Sequence, residues 1–184
     1  MKITKRIKAI PQRCVACGAC RIACAVAHSR SGELAAALSE DPLPEPRLRL
    51  RAVEEESPSG KRVRTVLLQC RHCKKARCVA VCPTGALAQS ADSGLVTLDG
   101  GQCTGCAACV EACPFGAIWL GRDGKVVVKC DLCAARLALG EEPACVASCP
   151  TQALRFEEAG RKREGAARDV VLAAGDRSKG DEDA

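Results

Sequence analysis

The chain has 184 residues, room for one or two small domains, and its 47% hydrophobic content draws on sixteen cysteines but only two phenylalanines, one tryptophan and no tyrosine. That composition excludes a core of ordinary large side chains, so something else must staple so small a scaffold. The formal net charge of +6 comes without aromatics among the basic residues, which argues against a nucleic-acid surface, and the longest uncharged run, Cys78 to Ala91, is roughly 14 residues against the ~20 that span a bilayer.

Taken in order, the N-terminal MKITKRIKAIPQRC carries no apolar core, cleavage site or twin arginine, so a cytoplasmic protein without membrane insertion is expected. A reducing cytoplasm disfavours disulfides. Lys5 to Ile10 reads as a short strand leading through Pro11 into the first cysteine group, Cys14, Cys17, Cys20 and Cys24. Gly18 lies where a residue free to take positive φ lets the loop turn. The run ACRIACAVAHS suits a short helix that carries Cys24 away from the first three thiols, and His28 one turn later reads as structural or solvent-facing rather than as a ligand.

No cysteine occurs from Ser29 to Thr65, the main insertion. Gly32 to Ser39 predicts a short helix stopped at Asp41 and Pro42, and Pro42, Pro44 and Pro46 a stiff extended connection. RLRLR, Arg47 to Arg51, alternates at period two and pairs across the SPSG turn with Lys61 to Leu68 as a hairpin. This insertion is expected to act either as a docking element or as a flap over a metal site. The second group, Cys70, Cys73, Cys78 and Cys82, has Arg71, His72, Lys74, Lys75 and Arg77 among its cysteines, a positive face suited to reduced clusters or to an acidic partner. PTGAL and GLVTLD predict a small hairpin into the third group, Cys103, Cys106, Cys109 and Cys113. PFGAIWL and VVVK predict another, turning at Arg122 to Gly124. In the fourth group, Cys130, Cys133, Cys145 and Cys149, the long spacer predicts a helix capped by Asp131, running to Leu139 and ended by Gly140. CPTGAL, CPFGAI and CPTQAL mark an internal repeat. Beyond Phe156 the residues become EEAGRKREG and GDRSKGDEDA, read as a charged, disordered tail with a short helix over Ala166 to Ala174.

The chemistry lies in the cysteine spacing. Cys103 to Pro114 reads C-x2-C-x2-C-x3-C-P, the bacterial run for a 4Fe-4S cluster in which the fourth cysteine ligates a different cluster. Every cysteine belongs to one of four such groups, so sixteen thiolates at four per cube give four 4Fe-4S clusters. Zinc is the competing ligand class, but its sites are usually separated C-x2-C pairs and do not require four cysteines within eleven residues ending in CP. Each oxidised cube with its thiolates carries about −2, so four contribute about −8 and turn +6 into about −2. The excess of Lys and Arg then offsets buried thiolate and sulfide charge. No nucleotide-binding glycine motif and no nucleophile with a base is present, so an electron carrier is expected rather than an enzyme, with no catalytic residues.

These sixteen positions, with CPTGAL, CPFGAI and KCDLC, resemble the four-cluster ferredoxin-type electron-transfer subunits of anaerobic oxidoreductases, over about Ile7 to Phe156. ACAVAHS, the Pro-rich segment and CRHC are most similar to the iron–sulfur proteins that serve carbon monoxide dehydrogenase; subunits of tungsten aldehyde oxidoreductases, formate dehydrogenases and hydrogenases are further relatives. The resemblance implies an α+β fold of two intertwined bicluster ferredoxin-like domains, with short helices, small hairpins and little regular secondary structure. One domain is 1–28 plus 125–156, the second is 66–124, the insertion is 29–65 and the tail is 157–184. It also implies four ligand sets: Cys14, Cys17, Cys20 and Cys149; Cys24, Cys130, Cys133 and Cys145; Cys70, Cys73, Cys78 and Cys113; and Cys82, Cys103, Cys106 and Cys109. The implied partners are a catalytic oxidoreductase subunit and a second redox protein.

Overall fold

A computed structural model describes residues 5–58 and 60–158 of the chain. Among these residues, four two-stranded antiparallel ladders and six short helices form. β1 (Lys5–Ala9) is followed by a 3-10 turn at Pro11–Arg13, the first cysteine loop and α1 (Ala19–Ala27). α2 (Leu34–Ala37) is shorter than the expected Gly32 to Ser39, because Glu33 caps it by accepting from the Ala36 N–H at 2.9 Å.

β2 (Arg49–Ser57) and β3 (Gly60–Leu68) form the expected hairpin, with β2 reaching further than RLRLR because Val53 to Ser57 pair as far as Gly60. α3 (Arg77–Ala80) follows the second cysteine loop, and β4 (Leu87–Gln89) pairs with β5 (Val96–Leu98). After α4 (Ala108–Ala112), β6 (Ile118–Leu120) pairs with β7 (Val127–Lys129). α5 (Ala134–Ala138) and α6 (Ala144–Ala147) precede β8 (Leu154–Glu158), which returns to pair with β1. The fold class is thus α+β with little regular structure.

The β1–β8 ladder brings the two ends of the described chain side by side, with Lys5 opposite Glu158 and Ala9 opposite Leu154. α1 packs on α6, so the first and fourth cysteine groups share one core: Cys24, Leu48, Cys145 and Leu154, with Cys20, Cys149, Ile7 and Leu67 against it. The second and third groups share another: Leu87, Val96, Cys109, Ile118 and Val127, with Cys78, Cys82, Cys103 and Cys113 against it. Cysteine sulfur sits at the centre of both, and small aliphatic residues surround it. Trp119 is buried apart from these clusters, with the Arg49 guanidinium 4.1 Å from its ring centre.

Three boundaries differ from the sequence reading. Val127, placed on the sequence in the 125–156 segment, packs in the core of the second and third groups through β7. Leu48 draws the 29–65 insertion, and Leu67 the start of the 66–124 segment, into the core of the first and fourth groups. β8 continues to Glu158 because its pairing with β1 extends that far. The Ala166 to Ala174 helix and the tail from 159 onward lie outside the described residues. Among the described residues no helix is long and apolar enough to cross a membrane.

Candidate metal centres

Each cysteine loop is bent at the same place. Two residues after the first cysteine the backbone enters the left-handed region, at Ala16, His72, Gly105 and Leu132, so that successive thiols turn inward. The sequence pointed only to Gly18 because this position mostly holds residues that rarely adopt positive φ. A second shared bend lies three residues after the fourth cysteine of three groups, at Gly85, Gly116 and Gln152. It directs backbone N–H groups at the cysteine just passed: Ala117 N donates to Cys113 Sγ at 3.4 Å and Ala153 N to Cys149 Sγ at 3.2 Å. Thr84 and Thr151 place hydroxyls 3.8 Å from Cys82 and Cys149. The CPTG, CPFG and CPTQ repeat is therefore a repeat of sulfur-directed donors, which stabilise thiolate over thiol; backbone donors lower Cys82, and at Cys149 burial, the largest single influence, is outweighed by backbone donors and the Thr151 hydroxyl together, so both lie below the usual thiol range.

The thiols gather in sets that cross the sequence. One cavity is lined by Cys14, Cys17, Cys20 and Cys149, roofed by Leu50, Thr65 and Leu67 from the hairpin base. A second is lined by Cys82, Cys103, Cys106 and Cys109. Burial raises the Cys20 thiol, and like charge from Cys14, Cys149 and Cys17 raises it further. Cys145 is pushed far up by burial and then by Cys130, Cys24 and Cys133. Burial likewise raises Cys78, with Cys70 and Cys113 adding to it, and takes Cys109 to about 11, with Cys103 and Cys106 adding. Thiols crowded until they oppose one another's ionisation are donors waiting for a cation, since binding metal releases their protons and removes the repulsion.

Among the described residues only Gln69 and Lys129 are buried polar side chains, at 8% and 2% exposure, and both lie where the two cores meet. Gln69, next in sequence to Cys70, donates through Nε2 to Cys130 Sγ at 3.5 Å. Lys129, next to Cys130, donates through Nζ to the Cys130 carbonyl at 2.8 Å and to the Val96 carbonyl. The Val96 N–H in turn donates to His72 Nδ1 at 3.0 Å, so the His72 proton sits on Nε2. Burial first, then the Lys129 charge, lowers the His72 imidazole to about 4 and keeps it neutral. Its Nε2–H is buried without an acceptor among the described residues, in the loop between Cys70 and Cys73. An orphaned buried donor in this cysteine loop fits a bound group that brings sulfide of its own.

His28 is half-buried and structural. Its Nδ1 donates to the Cys24 carbonyl at 2.7 Å and its Nε2 to Asp131 Oδ1 at 3.0 Å, so both nitrogens carry protons. Burial, the largest single influence, opposes that charge, but hydrogen bonds to Asp131, Cys133 and Cys24 together outweigh it and raise the group to about 12. Asp131 Oδ2 accepts from Arg47 Nη1 at 2.6 Å, and the Arg47 N–H donates to Cys24 Sγ at 3.2 Å. Asp131 therefore does not cap α5, as its position suggested. Oδ1 accepts from Cys133 N at 2.9 Å, and α5 starts later because Leu132 and Cys133 are both left-handed; Gly140 ends it as expected. His28, Asp131 and Cys133 bring three donor atoms within 4.8 Å of one another, but the nitrogen and the carboxylate are engaged with each other.

The basic residues singled out in the second group lie mostly in solvent. Arg71, Lys74, Lys75 and Arg77 are exposed, and Arg71 stacks on Phe115 at 4.1 Å. The buried cation near these thiols is Lys129, which the sequence hid at the end of VVVK. Cys17 and Cys106 are the two exposed cysteines, one in each cavity-lining set.

Two matches to the 4Fe-4S dicluster domain cover residues 63–159 and 10–86. The thiosulfate reductase electron transfer subunit PhsB of Salmonella typhi is 39% identical over 146 residues, which cover 79% of this chain and 71% of that protein. An iron–sulfur protein of Rhodospirillum rubrum is 37% identical over 163 residues, covering 82% and 80%. Protein NrfC of Escherichia coli is 36% identical over 148 residues, covering 78% of this chain and 60% of NrfC.

Proposed function

The chain belongs to the 4Fe-4S dicluster domain family, and from that premise we propose that it is the electron-transfer subunit of an oxidoreductase, carrying single electrons through four clusters and catalysing nothing alone. The observation that carries this reading is the gathering of thiols distant in sequence into sets of four, as where Cys149 joins Cys14, Cys17 and Cys20 around one cavity. The proposed ligand sets are the four stated above. When bound, each cluster supplies a one-electron centre. The chain's own residues hold it by thiolates, soften its charge with backbone N–H donors, and exclude water with Leu, Val and Ala.

Contacts between sets support a linear order. Cys20 and Cys24 share α1, which links the first set to the set containing Cys130, Cys133 and Cys145. Gln69 and Lys129 link that set to the one with Cys70, and repulsion between Cys78 and Cys109 links that to the last. The exposed thiols Cys17 and Cys106 then stand at the two ends, where redox partners would dock. A cytoplasmic location suits sixteen reduced thiols. For the catalytic partner, carbon monoxide dehydrogenase is the candidate that ACAVAHS and CRHC favour, and the Salmonella typhi relative adds thiosulfate reductase. The zinc-module reading loses its ground to the dicluster match.

The test is anaerobic purification with whatever catalytic subunit accompanies the chain, followed by stopped-flow cluster absorbance on adding that enzyme's substrate: bleaching of oxidised clusters by a reducing substrate such as CO, or return of colour in pre-reduced clusters with an oxidising one such as thiosulfate. Either change is expected only with the partner present. Turnover of CO, thiosulfate, formate or hydrogen by the chain alone would refute the reading.

A further inference from the structure

Among the described residues Lys129 is the one charged side chain in the buried interior. It is 2% exposed, and among the described residues its ammonium is met by two carbonyl oxygens, those of Val96 and Cys130. No carboxylate is paired with it among the described residues; Asp131, the nearest acid in sequence, is engaged by His28 and Arg47. A buried charge without a counter-ion is costly and persists where something nearby repays it.

What lies nearby is the second cysteine loop. The backbone of Val96 holds Lys129 through its carbonyl and His72 through its N–H, so one buried residue ties the ammonium to the imidazole between Cys70 and Cys73. The backbone N–H of His72 donates in turn to Cys70 Sγ at 3.5 Å, so only two hydrogen-bonded residues, Val96 and His72, separate the ammonium from the sulfurs of this loop. The ammonium charge favours one further electron on a group held by those sulfurs, because each added electron is a negative charge in a region of low dielectric. The exposed Lys74, Lys75 and Arg77 are screened by solvent and salt and contribute far less.

We propose that the Lys129 ammonium raises the reduction potential of the cluster held by Cys70, Cys73, Cys78 and Cys113 above those of its neighbours, so that this inner position, rather than either exposed end, retains the first electron. The inference rests on the proposed ligand sets. A relay with its most oxidising station inside holds one electron out of reach of solvent oxidants and passes the next only when a partner is docked.

The experiment is an EPR-monitored redox titration of the full-length, cluster-loaded protein and its Lys129→Met variant, with iron and sulfide measured in both. Cys78→Ser, which alters a ligand of the cluster in question, identifies which reduction step belongs to it. The most positive step is expected to be that one. In Lys129→Met it falls by at least tenfold in its equilibrium constant, about 59 mV for one electron. The other three steps move by less than half as much, and Lys129→Arg stays near the unmodified value. A shift below threefold at full cluster content overturns the proposal. Should Lys129→Met fail to load, Lys129→Gln, which keeps hydrogen-bond donation without charge, carries the test; failure of both to load overturns the proposal in favour of a purely structural lysine. An unmodified protein without four clusters would instead refute the four-cluster reading, and would do so before any variant is measured.

Discussion

Replacing Gly105 by Ala tests whether the cysteine loops are held by local shape. Gly105 sits at φ +69°, and an added Cβ would lie 2.7 Å from the Lys125 carbonyl oxygen and 2.9 Å from that of Gly124. Both are backbone atoms of the turn joining β6 to β7, so neither yields by a rotamer change. The left-handed backbone costs about 1 kcal/mol, and forcing the loop from the turn costs about 1–3 kcal/mol more. The total, about 2–4 kcal/mol, corresponds to roughly 30- to 1000-fold in the opening of the loop. Gly116→Ala is the control: φ is +55° with nothing within 4 Å of the new carbon, leaving only about 1 kcal/mol of strain. Gln152 carries a side chain at the equivalent bend of the fourth group, as Ala16, His72 and Leu132 do at the position of Gly105. Positive φ alone is therefore tolerated, and the carbonyl contact decides. The assay is the anaerobic rate of cluster bleaching by a ferrous chelator. The strain common to both cancels, so Gly105→Ala is expected to bleach roughly 5- to 150-fold faster than Gly116→Ala. Equal rates would refute the steric argument.

Cys24→Ser should damage the cluster assigned to Cys130, Cys133 and Cys145 and spare that of Cys14, Cys17 and Cys20; iron content and EPR should show three intact clusters, and loss of the latter signal would refute the swapped ligand. Full anaerobic removal of iron should abolish cooperative unfolding and most far-UV dichroism, because cysteine occupies the centre of both cores and metal-ligand energy is folding energy. Asp131→Asn removes the shared carboxylate of His28 and Arg47, and should lower stability by about 1–3 kcal/mol given its partial exposure, read as a shift in denaturant midpoint.

Much of this was legible in the sequence because cysteine spacing is a direct record of ligand geometry. The four groups, the hairpin at RLRLR, the CPTG repeat and Gly140 as a helix stop needed no knowledge of distant contacts. What stayed hidden depends on long-range packing. Asp131 looked like a cap because a helix follows it, yet a histidine from α1 and an arginine before β2 claim its oxygens. Lys129 was read only as the end of the VVVK strand, since nothing local shows that Val96 and Cys130 turn carbonyls toward it. The left-handed bends at Ala16, His72 and Leu132 were invisible because no propensity favours them there. They are imposed by three thiols converging.

The β1–β8 ladder also sets a timetable for maturation. During synthesis the second and third cysteine groups, with their shared core from Leu87 to Val127, emerge as a nearly contiguous unit. The first group emerges before them, yet its strand has no pairing partner until Leu154 to Glu158 leave the ribosome. Cys14, Cys17 and Cys20 must therefore wait as reactive, incomplete donors through most of translation. Under the proposed ligand sets, iron that arrives early at that end meets a site that closes only when β8 arrives to pair with β1.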